Sequence, residues 1–423
     1  MVQRAIGTRR PLAAPHAWLL AGLWLLLFGG LSGCGDSKSN ATGDGGDTTA
    51  TDSAGQAEAT PGPQVPKDRY WNDLARFFAG LPPEEGSTLQ GIDELPAMEG
   101  YRNNLDAQWA AKRERLLDKL RPWAKEQFPE AFASERNVFY PFSGPDFLTV
   151  VNLYPDARRY FMFGLEREGP APGKTWLQNL NRSKLPNDLR NMQISMNDIM
   201  GLTFFKTKDM AGDFIRTQFQ GATPLLLAFI ARTGHRVVHV EQIMIDNKGE
   251  VVPHPNPPRK PKAFTPYDST VTGMRIYFHR DDRPEYIQSV VYVQCDVENK
   301  GLAKTPQFVE FMQNLKPASG FIKSASYLLH YGSFTRMKNI FQGACELWLQ
   351  DDTGCRLQDI DRSEFEITFY GNYVRPIPLF RARYQQDLRD EYTKEGNTRP
   401  MPFGMGYTSR PTNTNLQLMR RKQ

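Results

Sequence analysis

The sequence predicts an α+β fold. Three observations carry that reading: helical periodicity over residues 67–136, strand-like runs separated by turn residues from Asn137 onward, and amphipathic helical patterns between those runs. Ahead of these lies an N-terminal stretch with a different character, and the elements follow from it in order.

Residues 1–33 begin with Arg4, Arg9 and Arg10 and no acidic residue, then run apolar from Ala17 to Phe28. A cationic start before a short apolar run is the pattern of a secretory signal peptide. The run is well short of the roughly 20 residues that a spanning helix needs. It ends in Leu31-Ser32-Gly33-Cys34.

That tetrapeptide resembles the lipobox of bacterial lipoproteins. The resemblance covers the first 34 residues and implies that Cys34 becomes the lipidated first residue of the mature chain, its thiol taking the lipid as a thioether. Several acyl chains hold a protein stably where one holds it weakly, because each buried methylene contributes about 0.8 kcal/mol. The expected location is therefore the bacterial cell envelope, with the protein lipid-anchored. Gly35 stands where many inner-membrane lipoproteins carry aspartate, and Asp36 comes one position late, which favours the outer membrane.

Residues 34–66 follow as a tether. They hold no aromatic residue and a single branched aliphatic, Val65, so they bury too little surface to order themselves. As a flexible coil, a segment of this length reaches about 30 Å. With the signal at +3 and the tether at −4, the body from Lys67 onward carries +6 of the net +5. A mild excess, with no dense Lys/Arg run except the terminal Arg420-Arg421-Lys422, argues against a nucleic-acid partner.

The segment 67–136 reads as helices. Tyr70, Trp71, Leu74, Phe77 and Phe78 share one face, as do Leu105, Trp109, Leu116, Leu120 and Trp123, and these stripes are expected to pack against the sheet. Pro122 is expected to kink or end the second helix. From Asn137, "FYPFSGPDFLTVVNLYPDARRYFMFGLE" reads as a strand, a turn at Tyr154-Pro155-Asp156 and a second strand, with further strands later in a mostly antiparallel sheet. Helices are expected near 186–217 and 303–340.

An internal echo suggests a duplicated strand-strand-helix-helix-strand unit, in halves 137–262 and 263–423. Phe214 and Phe334 each precede a Thr-Gly pair by the same 19 steps, at Thr233-Gly234 and Thr353-Gly354. A groove between such halves is the default ligand site.

No motif identifies a reaction, so no catalytic residue is assigned. Ser143 and Asp146, in "YPFSGPDFL", resemble an active-site loop, yet the same residues suit a tight turn entering a strand, and the Gly-x-Ser-x-Gly elbow is absent. "GPAPGKTW" lacks the spacing of a phosphate loop. His235 and His239, four apart in a strand, face one side on a regular pleat, but no metal-binding motif accompanies them, and no metal or cofactor is expected. In an oxidising compartment Cys295, Cys345 and Cys355 allow either one disulfide, involving Cys295, or three unpaired thiols. The segments "YPFSGPDFL", "SASYLLHYGSF", "YVRPIPLF" and "MPFGMGY" together resemble an uncharacterised family of bacterial secreted proteins, which implies no activity. The expectation is a lipid-anchored envelope protein that binds an unidentified protein, glycan or small ligand without catalysis. The alternative is a lipid-anchored hydrolase with a carboxylate in the inter-half groove.

Overall fold

The structure is a computed structural model that describes residues 65–89, 91–133, 135–164, 166–202, 217–257, 269–407 and 411–423. The chain divides into two units, 1–60 and 61–423, and every described residue belongs to the second. The signal region, Cys34 and all but the end of the tether lie outside the described residues. Among those residues, no helix is long and apolar enough to cross a membrane.

The N-terminal helices form as their apolar stripes require. Asp68 caps α1 (Arg69–Phe78) by accepting from the Tyr70 amide, and Tyr70, Leu74, Phe77 and Phe78 are buried. The second stripe runs through α2 (Pro96–Lys112), one π-helical turn (Arg113–Leu117) and α3 (Asp118–Gln127). Leu105, Leu116, Leu120 and Trp123 are buried, whereas Trp71 and Trp109 are only partly covered. Pro122 does not end the helix. Its missing N–H falls just after the wider π turn, which loosens the backbone where an α-helical ladder would be interrupted.

The class is α+β, built on one eleven-stranded sheet. Its strands are β1 (Asn137–Tyr140), β2 (Arg159–Gly164), β3 (His235–Ile245), β4 (Val251–Pro253), β5 (Thr272–Arg280), β6 (Gln288–Gln294), β7 (Ala318–Ile322), β8 (Cys345–Gln350), β9 (Phe365–Gly371), β10 (Thr398–Arg399) and β11 (Asn415–Arg421). They lie in the order β10-β9-β11-β8-β7-β1-β2-β6-β5-β3-β4. Antiparallel pairings carry most of the register, on the two wings. The five central strands, β8-β7-β1-β2-β6, are all parallel.

That parallel centre is wound on both faces. Between β1 and β2 runs α5 (Phe147–Leu153), which joins the core containing Val138 and Tyr140. Between β7 and β8 runs α11 (Thr335–Ala344), which joins the core on the other face, with Phe139. Chain order thus steps outward in opposite directions from the β1–β7 pair. This is a topological switch point, where the loops at the strands' carboxyl ends part and leave a crevice.

Three expectations are corrected. Phe147–Leu153 is helix, not strand: Asp146 caps it through the Thr149 amide, and packing on α3 and on α8 (Thr223–Arg232) overrides the β-branched Thr and Val residues. The helical region near 303–340 contains β7, flanked by α9 (Asn299–Lys304), α10 (Pro306–Gln313) and α11. Its sequence, Ala-Ser-Gly-Phe-Ile, lacks a strand signal because a Cβ at Gly320 would stand 2.6 Å from Phe341 and 2.7 Å from Trp348. The duplication is not found. Thr233-Gly234 ends α8 and precedes β3, whereas Thr353-Gly354 follows β8; β3 is antiparallel to both neighbours, and β8 is parallel to β7. The 262/263 division falls between β4 and β5 of the one sheet. The helix expected near 186–217 is α7 (Leu185–Leu202), and 203–216 lies outside the described residues.

Candidate functional site

A cavity of about 270 Å³ opens at the switch point. Its walls are the segments that leave the carboxyl ends of β1, β2, β6 and β7, with Tyr407 closing one side. The floor is a buried ion pair: Lys323 Nζ lies 2.6 Å from Asp146 Oδ2, with side chains 1% and 2% exposed. The Tyr140 hydroxyl donates to the same oxygen at 3.0 Å. Asp146 Oδ1 accepts from the Thr149 amide at 3.2 Å and hydroxyl at 2.9 Å. Both carboxylate oxygens are thus engaged, and burial together with this carboxylate holds the Tyr140 phenol well above its usual range.

Lys112, the last residue of α2, is buried near this floor, and its amine has no hydrogen-bond partner. Burial, with the Lys323 charge second, pulls it down to about 7. At the mouth the charge is acidic, from Glu166, Asp296 and Glu298. Burial and the Asp296 charge raise Glu298 above the ordinary carboxylate range. The loops after β1 and β2 touch: a side chain at Gly164 would collide with Glu166 and meet the Gly144 backbone at 3.2 Å.

The described residues with positive φ other than glycine are Phe142 (59°), Ser324 (52°), Ser326 (50°) and Tyr327 (56°). Phe142, Ser324 and Ser326 line the cavity, and Tyr327 lies in the same loop as the two serines. Each such residue costs about 1–2 kcal/mol. The clamp comes from the residues after β8. Asp351 accepts the Ser324 amide at 2.9 Å, Thr353 Oγ1 accepts the Ala325 amide at 2.8 Å, and Asp352 accepts the Tyr327 hydroxyl. Tyr407 adds a bond to the Ser324 carbonyl at 2.9 Å. Burial, with Asp352 beside it, pushes Asp351 up to about 7.

The residues singled out in the sequence meet varied fates. Ser143 is buried, and its amide and hydroxyl both donate to the Phe163 carbonyl, at 3.0 and 3.3 Å, which ties the β1 loop to β2. Asp146 sits in the floor as a helix cap, not at a strand entry. His235 and His239 are not brought together: a bulge between Val237 and His239 shifts the register and turns His239 off the face on which His235 packs between Phe147 and Phe278. Burial lowers His235 to about 4. Among the described residues no three His, Cys, Asp or Glu side chains are placed to hold a metal. Cys295, Cys345 and Cys355 are buried and unbonded. Lys174 of "GPAPGKTW" pairs with Asp68 at 2.8 Å on the surface.

Sequence reasoning missed Lys323, Glu166, Asp296 and the Asp351–Thr353 clamp. One signal was present. Glu166, Asp296 and Asp351 each come directly or nearly so after a dense apolar run, where a parallel strand ends at its functional edge. Compared with family models, with curated proteins and with solved structures, the chain matches none.

Proposed function

We propose that this protein is an envelope lipoprotein, held to the membrane through Cys34, whose body binds a small polar ligand without transforming it. The cavity at the β1–β7 switch point carries the reading, since crevices of this kind are where wound parallel sheets take ligands. Its charge defines the ligand class. The Lys323 ammonium is paired with Asp146, while Glu166, Asp296 and Glu298 stand at the mouth. Such walls accept hydrogen bonds from hydroxyl and amino groups and repel phosphate. The fitting ligand is a polyol or amino-polyol of neutral or positive charge, such as a sugar, an amino sugar or an unphosphorylated nucleoside.

The test is thermal unfolding of the mature chain against neutral sugars, amino sugars, nucleosides and their phosphate esters. A ligand at a hundred times its Kd adds about 2.7 kcal/mol. An unphosphorylated polyol or amino-polyol should raise Tm, and Glu166→Gln with Asp296→Asn should abolish the shift. A shift with phosphate esters alone, or one indifferent to those substitutions, would overturn the reading.

The alternative, a lipid-anchored hydrolase, is favoured by the Asp296–Glu298 pair, in which one carboxyl is raised beside another. Turnover of a glycoside or ester that is lost in Glu298→Gln would decide for it.

A further inference from the structure

The segment between β9 and α12 (Gln386–Thr393) is a ledge of unusual composition, "VRPIPLFRAR" over residues 374–383. Val374 is 62% exposed and Leu379 42%; with Ile194 they make up the exposed large hydrophobic side chains of the described residues. Arg375, Arg381 and Arg383 share the ledge, which contains no acidic residue. Elsewhere in the body many arginines are held by carboxylates, such as Arg275 by Glu241 and Arg421 by Glu364. Among the described residues none of the three ledge guanidiniums meets a carboxylate, and Arg383 lies over the Tyr331 ring at 3.9 Å.

The ledge is held firmly at its root. Phe380 packs on Tyr327 and Tyr407, with ring centres 5.0 and 5.2 Å away, and Pro376 and Pro378 restrict the backbone. Exposed Val374, Arg375, Leu379 and Arg381 thus lie on one short, braced segment.

We propose that this ledge docks on the surface of an anionic lipid bilayer, its guanidiniums on lipid phosphates and its Val374 and Leu379 side chains in the headgroup boundary. Apolar contact combined with basic charge is what interfacial binding requires. Planar guanidinium suits phosphate oxygens in particular. The choice of a bilayer over an acidic protein rests on the anchor reading: a tether of about 30 Å reach keeps the membrane at high effective concentration.

The test omits the lipid, so that its failure and that of the anchor are separable. The mature chain from residue 34, with Cys34→Ser, is floated with vesicles of phosphatidylcholine alone or mixed with phosphatidylglycerol, at low and high salt. Flotation is expected with the anionic vesicles only, released by salt. Arg375→Glu with Arg381→Glu should weaken it at least about tenfold, and Val374→Ser with Leu379→Ser should weaken it at unchanged Tm. No flotation at low salt, or equal flotation of the charge-reversed variant, would overturn the proposal. So would flotation that appears only after residues 35–60 are deleted, which would make the chain's own acidic tether the occupant.

Discussion

The loops that leave β1 and β7 face each other across the crevice, yet they reach their shapes by different means. The β1 loop is closed by near neighbours: Tyr140 and Thr149 both bond Asp146, and Gly144 supplies one of its positive φ angles. The β7 loop, Lys323 to Tyr327, contains no glycine and holds three residues in the left-handed region. Its shape is imposed by Asp351, Asp352 and Thr353, which follow a different strand. One wall is encoded locally, and the other is strained and kept so from outside. The two loops are tied by the buried Lys323–Asp146 bridge.

Cutting that tie should have the largest effect. Lys323→Met leaves Asp146 charged and buried without its cation, and Asp146→Ala strands Lys323 in the same way, so each should cost about 3–5 kcal/mol in urea unfolding. Asp146→Asn still caps α5 but offers Lys323 no charge, so it should recover only part of the loss. The double variant Asp146→Asn/Lys323→Met should be more stable than Lys323→Met alone. Losses below about 1 kcal/mol for both single variants would mean that the loops stand independently.

The clamp on the β7 loop should show itself through pH. Burial, with Asp352 beside it, raises the folded Asp351 carboxyl to about 7, against about 4 in an unfolded chain. The folded state therefore holds the proton across that interval. Its stabilisation is complete below about pH 4 and is lost as pH rises towards 7. Burial lowers His235 and His330 to about 4, which gives the opposite slope as pH falls from about 6.5, so the difference between wild type and variant is the useful quantity. Asp351→Asn should gain on wild type steadily between pH 4 and 7 in thermal melts. Parallel curves would show that the carboxyl is ionised throughout.

The smallest expected effect concerns strain alone. Ser326 is exposed at φ 50°, so Ser326→Gly should change stability by less than about 1 kcal/mol, in the stabilising direction. A clear loss would mean that its contact with Tyr407, at 2.9 Å, outweighs the backbone term.

The same contrast governs what the sequence revealed. The stripe of α1 was readable because Tyr70, Leu74, Phe77 and Phe78 obey a local period. "YPFSGPDFL" was readable as a place of interest, since Gly, Pro and Asp cluster there, but not as a helix cap, because only packing makes Phe147–Leu153 helical. β7 was hidden by the small residues that Phe341 and Trp348 require at the sheet's centre. Lys323 looked like any lysine. Its burial depends on Asp146, 177 positions earlier in the chain, and no local pattern carries that.

The pairing of β1 with β7 has a bearing on when the site can exist. Asn137 lies opposite Ala318, so the two walls meet only after the whole intervening chain has been made and gathered. β1 can settle beside β2 early, since only α5 and its flanking loops separate the two strands. Contacts between distant segments come at the highest entropic charge and tend to form late. A chain that stops short of β7 holds Asp146 without Lys323 and one wall without its opposite. The crevice is in this sense a property of completed folding, and an intermediate with its first half in place lacks one of its walls.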